Sequence, residues 1–475
     1  MGTRWWPWCP WDIHRLRPLP PSEGRSPSSF TGSGSEVSSP RGRIQRCGEF
    51  APADIRHFLE NVQERSLSGG VKALFRQRSS SSLVTFQVWY RVGSRNEQIG
   101  LTGLSHLVEH MMFKGTDRTG PEEFSRIIQA QGGQTNAFTT KDFTAYYAVM
   151  ASERIGVAMD LERDRMKGLR LREDQFLREK KVVMEERRLR TETQPEAVLL
   201  EELEAVAFSS HPYRWPIIGW MEDIERASLA DVRRHLRTHY IPGNLLIVGV
   251  GGLEPEKWWE MLESRFGDLP FGKGPAPLGL VEPEQRGERR VIVRREAQVG
   301  ALAMGFHVPR AGHQDAPALE VLASLLGSGR SSRLYRRLVR EEGLALGVEV
   351  DYPLLSLDPG LFLLLVRVLP GISLERAEKA LEEELERIGS GDPDLGKDLE
   401  RAKAQLDRSL VLSLDSLMAQ ALMLGQYELC VGWKYMGEYL ARIREVDPGT
   451  IRDVVSRYLV SRNRTTGWLV PQGGR

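Results

Sequence analysis

Two histidines lie four positions apart in the stretch TGLSHLVEHMMFKGT (102–116), and Glu109 directly precedes the second of them. Residues four apart on an α-helix differ by about 40° of rotation, so His106 and His110 project from nearly the same face and can bind one zinc ion. Zinc lowers the pKa of a bound water to about 7, and Glu109 is placed to accept the proton as that water attacks a carbonyl. The order H-x-x-E-H is the reverse of H-E-x-x-H and supports the same hydrolytic chemistry.

A second histidine pair with the same spacing, His235 and His239 in HLRTH, lacks these features. The residues between the two histidines include no carboxylate, and Arg237 is a cation that opposes metal binding. The first pair, in contrast, lies in a segment that is apolar on most sides, where buried polar groups need a purpose such as metal binding. We therefore predict that only the first pair binds a metal.

Two histidines leave a catalytic zinc one protein ligand short, because such a site usually has three protein ligands and a water. The candidates lie in the charged helical segment EDQFLREKKVVMEERRLRTET (173–193). Glu179 and Glu186 are two helical turns apart and share a face, whereas Glu185 points elsewhere. One of the two is the candidate ligand, and the other can orient an imidazole or a ligand. The spacing alone does not decide between them.

The elements that must position these residues begin near residue 55, where apolar residues become periodic. In chain order they are a strand at 83–94, the histidine-bearing helix, a helix at 120–133, a strand pair at 134–151, helices at 152–168, 173–194 and 195 to about 207, and a buried strand at 244–253. A Gly- and Pro-rich link at 268–287 follows.

After this link the same series begins again, with strands, a helix, a strand pair and another helix. The repeat predicts an α+β fold with two homologous domains, each a mainly antiparallel sheet with helices packed on one side. The predicted domains are residues 53–267 and 288–475, with 268–287 as the linker. The second copy has LEVLASLLG where the first has His and Glu. Only the first domain can therefore bind a metal in this way.

Residues 1–52 differ in composition from the rest of the chain. The start, MGTRWWPWCPW, is interrupted by prolines and lacks the continuous apolar segment of a secretory signal. Residues 15–49 are rich in Arg, Ser, Pro and Gly. We interpret 1–52 as a disordered extension or a misassigned start in preference to a targeting segment.

The overall composition excludes several classes of protein. Lys and Arg number 65 against 64 Asp and Glu, and this balance argues against a general nucleic-acid binder. The three cysteines are far apart and form no CxxC pair, so a metal here must be held by His and carboxylates. No stretch has the length and apolarity of a membrane span. The compartment is left open, with the cytoplasm favoured over the periplasm or an organelle.

The chain resembles the insulinase/pitrilysin family of zinc peptidases, which includes mitochondrial processing peptidase and its bacterial relatives. The resemblance covers about residues 60–470. It rests on the stretches GLSHLVEHMMFKGT, GGQTNAFTTKDFTAYY, KVVMEERRLRTETQPE, HPYRWPIIGW, HYIPGNLLIVGVGG and LLGSGRSSRLYRRLVREEGLA. It implies that the two domains form half of a clam-shell chamber.

The resemblance also implies roles for individual residues. Family members take their third zinc ligand from the second Glu of a V-x-x-E-E segment, which is Glu186 here, and Glu179 is then the supporting carboxylate. Asn136 and Ala137 match the strand edge on which an extended substrate lies. Phe113 matches a position that lines the pocket just beyond the cleaved bond.

Two of the implied substrate contacts have ordinary structural alternatives. Phe113 is also consistent with a plain core aromatic residue. Glu196 matches a position that receives a basic substrate side chain in some relatives. However, Pro195 and Glu196 are also a common way to start a helix, because Glu is favoured by the helix dipole.

The chain departs from the family at two positions of the second domain. Many members carry there an Arg and a Tyr, seven residues apart, that contact the substrate and the developing oxyanion. The corresponding residues are Val339 and Leu346; Arg340 is one position away, and no Tyr is available. In bacterial relatives a zinc-lacking chain often brings this pair to a zinc-bearing one.

We therefore predict a zinc-dependent metalloendopeptidase that acts on peptides or unfolded protein segments. The predicted assembly is a homodimer, or a heterodimer with a zinc-lacking homologue. The alternative is a non-catalytic core or assembly subunit of the same fold, as in respiratory complexes. The intact zinc motif argues against that alternative, and the absence of the Arg/Tyr pair argues against a subunit that serves another chain's zinc.

Overall fold

The computed structural model describes residues 53–270, 272–276 and 278–472, so the prediction for 1–52 lies outside the described residues. The helices are α1 Ala53–Glu60, α2 Leu104–Met111, α3 Glu123–Ala130, α4 Ile155–Gly168, α5 Glu173–Arg187, α6 Pro195–Ala207, α7 Met221–Arg226, α8 Leu229–His239, α9 Pro255–Phe266, α10 Ala316–Gly327, α11 Leu374–Ser390, α12 Leu395–Ser413, α13 Leu417–Cys430, α14 Tyr435–Glu445 and α15 Pro448–Tyr458. The strands are β1 Val62–Ser66, β2 Lys72–Gln77, β3 Leu83–Tyr90, β4 Gln134–Thr139, β5 Thr144–Ala151, β6 Leu245–Gly251, β7 Arg289–Glu296, β8 Ala301–Val308, β9 Ala345–Asp351, β10 Gly360–Val368 and β11 Arg464–Gln472.

The strands form two sheets with the same topology. The first has the order β1-β2-β6-β3-β5-β4, and the second has the order β7-β11-β8-β10-β9. Apart from β1, each strand of the first sheet has a counterpart in the second. The β2/β6 and β7/β11 pairs are parallel, and the remaining pairs are antiparallel. The predicted α+β fold of two homologous, mainly antiparallel units is confirmed.

The first sheet is buried because its central strands are apolar on both faces. In β3 every residue after Leu83 is buried, and β6 is buried throughout. On one face Phe75 stacks on Trp258 of α9 with ring centroids 4.7 Å apart. That packing requires glycine at position 249, because a Cβ there would lie 2.2 Å from the Trp258 ring.

One face of each sheet is covered by a helix from the opposite half of the chain. Helix α13 packs on β3 and β6 of the first sheet, and α6 packs on β7, β8 and β11 of the second. The contact at α13 is close, because a Cβ on Gly425 would lie 2.4 Å from the Trp89 indole. The two halves therefore pack against each other through a shared core. The domain boundaries expected at residues 267 and 288 remain a prediction.

Within the described ranges, no helix is both long enough and apolar enough to cross a membrane.

A buried ion cluster in the second half gives a stability prediction. Arg333 is 4% exposed and donates to Glu384 at 2.6 Å, to Asp398 at 3.1 Å and to Asp392. Arg333→Met leaves these buried carboxylates without their shared cation, which is expected to cost about 3–5 kcal/mol. Urea unfolding followed by circular dichroism measures this change.

A matched control comes from the same cluster. Arg387 binds Asp392 at 2.7 Å but has a side chain 55% exposed. Arg387→Met is therefore expected to cost no more than about 1 kcal/mol. Equal losses in the two variants would show that burial does not set the contribution of Arg333.

Candidate active site

The predicted site residues of the first unit lie on α2, on α5 and on the edge strand β4. Helix α2 buries Leu107, Val108 and Met111 in the core, which leaves His106 and His110 on its partly exposed face. The two imidazole rings are 4.8 Å apart between centroids. The predicted i, i+4 arrangement is therefore present in the structure.

Helix α5 lies against α2 and brings two glutamates to this face. Phe176 and Val183, seven residues apart, are buried on one side of α5. Glu186 Oε2 lies 3.4 Å from His110 Nε2 and 3.8 Å from His106 Nε2. Glu179 lies two turns earlier on the helix and faces the other ring nitrogen, with its Oε2 3.3 Å from His110 Nδ1. The structure thus separates the two glutamates that the spacing could not.

The donor set fits a zinc ion. His106, His110 and Glu186 each offer one ligand atom, and these atoms lie within 4.8 Å of one another. Tetrahedral zinc with bonds of about 2.0–2.1 Å needs ligand atoms roughly 3.4 Å apart, close to the 3.4 and 3.8 Å that separate Glu186 Oε2 from the two histidine nitrogens. The Glu179 carboxylate can hold the ring of His110 by its Nδ1–H, which leaves Nε2 for the metal.

The protonation of the two histidines differs in the metal-free chain. Burial lowers the pKa of His106 to about 4, so this ring is neutral as a ligand must be. Burial also disfavours charge on His110, but the hydrogen bonds with Glu179 and Glu186 outweigh it and raise the pKa of His110 to about 9. Burial acts against ionisation of Glu186, yet His110, His106 and Arg190 lower the pKa of Glu186 to about 2. A metal bound here must therefore displace a proton from His110.

Glu109 lies beside these ligands and is held by β4. Its Oε2 accepts a hydrogen bond from Thr139 Oγ1 at 2.6 Å. Burial raises the pKa of Glu109, against the Thr139 hydrogen bond that lowers it. A raised carboxyl pKa suits a group that takes up and returns a proton near neutral pH.

Three predicted substrate contacts lie on or near the edge of the first sheet. Strand β4 is the last strand of that sheet, and it carries Asn136, which is exposed, and Ala137, which is half-buried. Asn136 Oδ1 accepts the backbone N–H of Ala137 at 2.9 Å. Phe113 is half-buried and packs edge-on against Phe124 at 5.9 Å. Arg165 also lies over the Phe113 ring, so Phe113 has the environment of a core-edge aromatic residue.

The fourth predicted substrate contact, Glu196, is engaged within the chain. Both oxygens of its carboxylate accept hydrogen bonds from Arg367 of β10, each at 2.7 Å. Arg367 also donates to Glu349 of β9 at 3.0 Å. A basic substrate side chain would have to compete with Arg367 for Glu196, and this role remains a prediction.

The positions that depart from the family pattern are Val339 and Leu346. Val339 lies in a π-helical turn, Tyr335–Glu341, and packs against the core. Leu346 is on the edge strand β9 and is 50% exposed. The Arg340 guanidinium lies 5.8 Å from the Tyr335 ring centroid.

Three further residues, which the sequence motifs did not indicate, contact the site. Arg190 Nη1 lies 2.9 Å from Glu186 Oε1, the carboxylate oxygen that does not face the histidines. Its i+4 spacing from Glu186 is a signal that could have indicated the pair. Lys114, 2.9 Å from Glu179 Oε1, and Thr139 carry no local signal, because their contacts depend on how the elements pack.

His235 and His239, predicted not to be ligands, are buried in α8. His235 Nε2 lies 3.2 Å from Ser105 Oγ on α2. Among the described residues, no group of three potential metal ligands includes either of them.

Comparison with known proteins identifies the family. Residues 72–219 match the family described as Insulinase (Peptidase family M16), and residues 226–406 match the Peptidase M16 inactive domain. The zinc protease PqqE of Helicobacter pylori is 30% identical over 426 residues, which span 89% of this chain and 95% of that protein.

Solved structures agree with this assignment. The crystal structure of a protease from Helicobacter pylori has a TM-score of 0.83 and 29% identity, covering 86% of this chain and 99% of that one. A chain of complex III from Candida albicans has a TM-score of 0.70 at 16% identity, covering 86% and 95% respectively, and shares the fold alone. The family predicted from the motifs is confirmed: this chain belongs to the insulinase family of peptidases, family M16.

Proposed function

We propose that this chain is a zinc-dependent metalloendopeptidase that cleaves peptides or unfolded protein segments. The observation that carries the proposal is the meeting of His106 Nε2, His110 Nε2 and Glu186 Oε2 from two helices, with Glu109 beside them. The relatives named zinc proteases support the same assignment.

Each residue of the site has a separate role in the proposed reaction. His106, His110 and Glu186 would hold the zinc, which supplies Lewis-acid polarisation of a carbonyl and acidification of a water. Glu109 accepts a proton from the attacking water as its oxygen bonds to the carbonyl carbon. The same carboxyl then gives the proton to the departing amide nitrogen as the C–N bond breaks. Thr139 holds Glu109 in place for both transfers.

Substrate binding is proposed at the outer edge of β4. An extended peptide that pairs with this edge strand gains main-chain hydrogen bonds, which give affinity with little dependence on sequence. Asn136 and Ala137 would then flank the cleaved bond, and Phe113 would contribute to the pocket beyond it.

A partner chain is proposed to complete the site, since Val339 and Leu346 stand where family members carry Arg and Tyr. The purified chain is expected to have weak peptidase activity that rises when a homologous chain carrying that pair is added. Digestion of a peptide library, with and without a chelator, measures both effects. Full activity of the single chain at matched zinc loading would contradict the need for a partner.

The rival function is a non-catalytic core or assembly subunit, and the fold shared with a complex III chain is compatible with it. A scaffold has no use for three converging ligands and an adjacent base. Zinc stoichiometry by native mass spectrometry separates the two functions, because a scaffold should bind none.

A further inference from the structure

The start of the metal-binding helix α2 has an unusual cap. The residue before the helix is Gly103, whose φ is 86°. Glycine has no side chain that could accept hydrogen bonds from the first backbone N–H groups of the helix. Glu97 supplies the missing acceptors from outside the helix. Its Oε2 accepts the N–H of Gly103 at 2.7 Å, and its Oε1 accepts the N–H of Ser105 at 2.6 Å.

The segment that leads into α2 is held from a second direction as well. Asp223 Oδ2 accepts the N–H of Thr102 at 3.1 Å and its hydroxyl at 2.7 Å. Glu97 and Asp223 are each only 7% exposed. The residues just before His106 are therefore tied to two buried carboxyl groups.

The two histidines differ in how their rings are oriented. A metal-binding histidine usually donates its second ring N–H to a carboxylate or carbonyl, as His110 can to Glu179. His106 has no such partner among the described residues, because its buried Nδ1 makes no hydrogen bond. No hydrogen bond at Nδ1 orients the His106 ring, so its placement depends more strongly on the backbone of its own helical turn.

We propose that Glu97 is a positioning residue for the zinc centre, holding the first turn of α2 so that His106 meets Glu186. The inference rests on the proposed zinc function. Both oxygens of Glu97 accept amide hydrogens, which the glutamine side chain, with one acceptor oxygen, cannot reproduce. Burial raises the pKa of Glu97, and the backbone hydrogen bonds from Ser105 and Gly103 oppose that rise by favouring the charged form.

The test compares two carboxylates that cap backbone amides in the full-length chain. Glu282 is the matched control, since it accepts the N–H groups of Ser209 and Ser210, at 2.6 and 3.0 Å, away from α2 and α5. Zinc affinity is measured by competition with a chromophoric chelator, and the melting temperature is measured on the zinc-free proteins. Glu97→Gln is expected to weaken zinc binding by about 10- to 100-fold, the usual loss for a residue that orients a ligand. Glu282→Gln is expected to lower the melting temperature without changing zinc affinity.

Unchanged zinc affinity in Glu97→Gln would overturn the proposal, as would an equal loss in Glu282→Gln. If Glu97→Gln does not fold, Glu97→Asp is tested in its place. The aspartate keeps the negative charge, but its shorter side chain moves the carboxylate away from the N–H groups of Gly103 and Ser105. Weaker zinc binding in that variant supports positioning, and wild-type affinity overturns it. A wild-type chain that binds no zinc would instead contradict the proposed function itself, so the two failures are distinguishable.

Discussion

Replacing Glu109 by Gln is expected to lower kcat/KM for peptide cleavage by about 10²- to 10⁴-fold, the usual contribution of a general base. The amide cannot take up the proton of the attacking water, but it still accepts the Thr139 hydrogen bond seen at 2.6 Å. Zinc content should be unchanged, because Glu109 is not among the three converging ligands. Steady-state kinetics with a fluorogenic peptide, together with metal analysis of the same sample, measures both quantities.

A nearby glutamate provides the control for this variant. Glu185 lies next to Glu186 in the chain, but its side chain is 57% exposed and pairs with Arg188 at 3.2 Å. Glu185→Gln is expected to retain full activity. Wild-type rates in Glu109→Gln would show that another group accepts the proton.

Replacing His110 by Ala is expected to abolish both zinc binding and hydrolysis. Structural zinc sites bind with about 10–16 kcal/mol in total, so one of three or four ligands contributes roughly 3 kcal/mol or more, over 100-fold in affinity. The variant also removes one of the partners of Glu179, which keeps its contact with Lys114. Zinc retained by dialysed protein, measured by mass spectrometry, tests this expectation.

The second histidine pair offers the matched comparison. His235 has the same i, i+4 spacing to His239 as His106 has to His110, but in the described part of the chain neither His235 nor His239 belongs to a group of three potential metal ligands. His239→Ala should keep its zinc, because it leaves the contact of His235 with Ser105 at the start of α2 intact. If this variant lost its zinc while His110→Ala kept it, the metal would be bound by His235 and His239, and the assignment to His106 and His110 would be wrong.

Short-range sequence patterns predicted those helices and strands whose limits are set by their own residues. Helix α6 runs from Pro195 to Ala207 as predicted, because proline at the first helical position marks its start. Repeated apolar patterns predicted that the series of elements occurs twice along the chain, and the structure adds that the two sheets share one strand order. The predicted helix at 173–194 instead ends as an α-helix at Arg187 and continues as a π-helical turn, Arg188–Glu192, which no local pattern indicated.

Features that depend on distant packing were not predictable. The apolar residues of α13 indicate burial, but not that it packs on the sheet of the other half, where Gly425 contacts Trp89. Helix spacing likewise left open the choice between Glu179 and Glu186, for which only the resemblance to the family implied an answer. Both share a helix face, and only the position of α5 against α2 places one at the two Nε2 atoms and the other at Nδ1.

The most direct test of the zinc centre is anomalous diffraction from crystals of the zinc-loaded Glu109→Gln chain, recorded on both sides of the zinc absorption edge. One strong peak is expected within about 2.0–2.2 Å of His106 Nε2, His110 Nε2 and a Glu186 oxygen. A peak bound elsewhere, or none at this cluster with zinc in excess, would contradict this expectation.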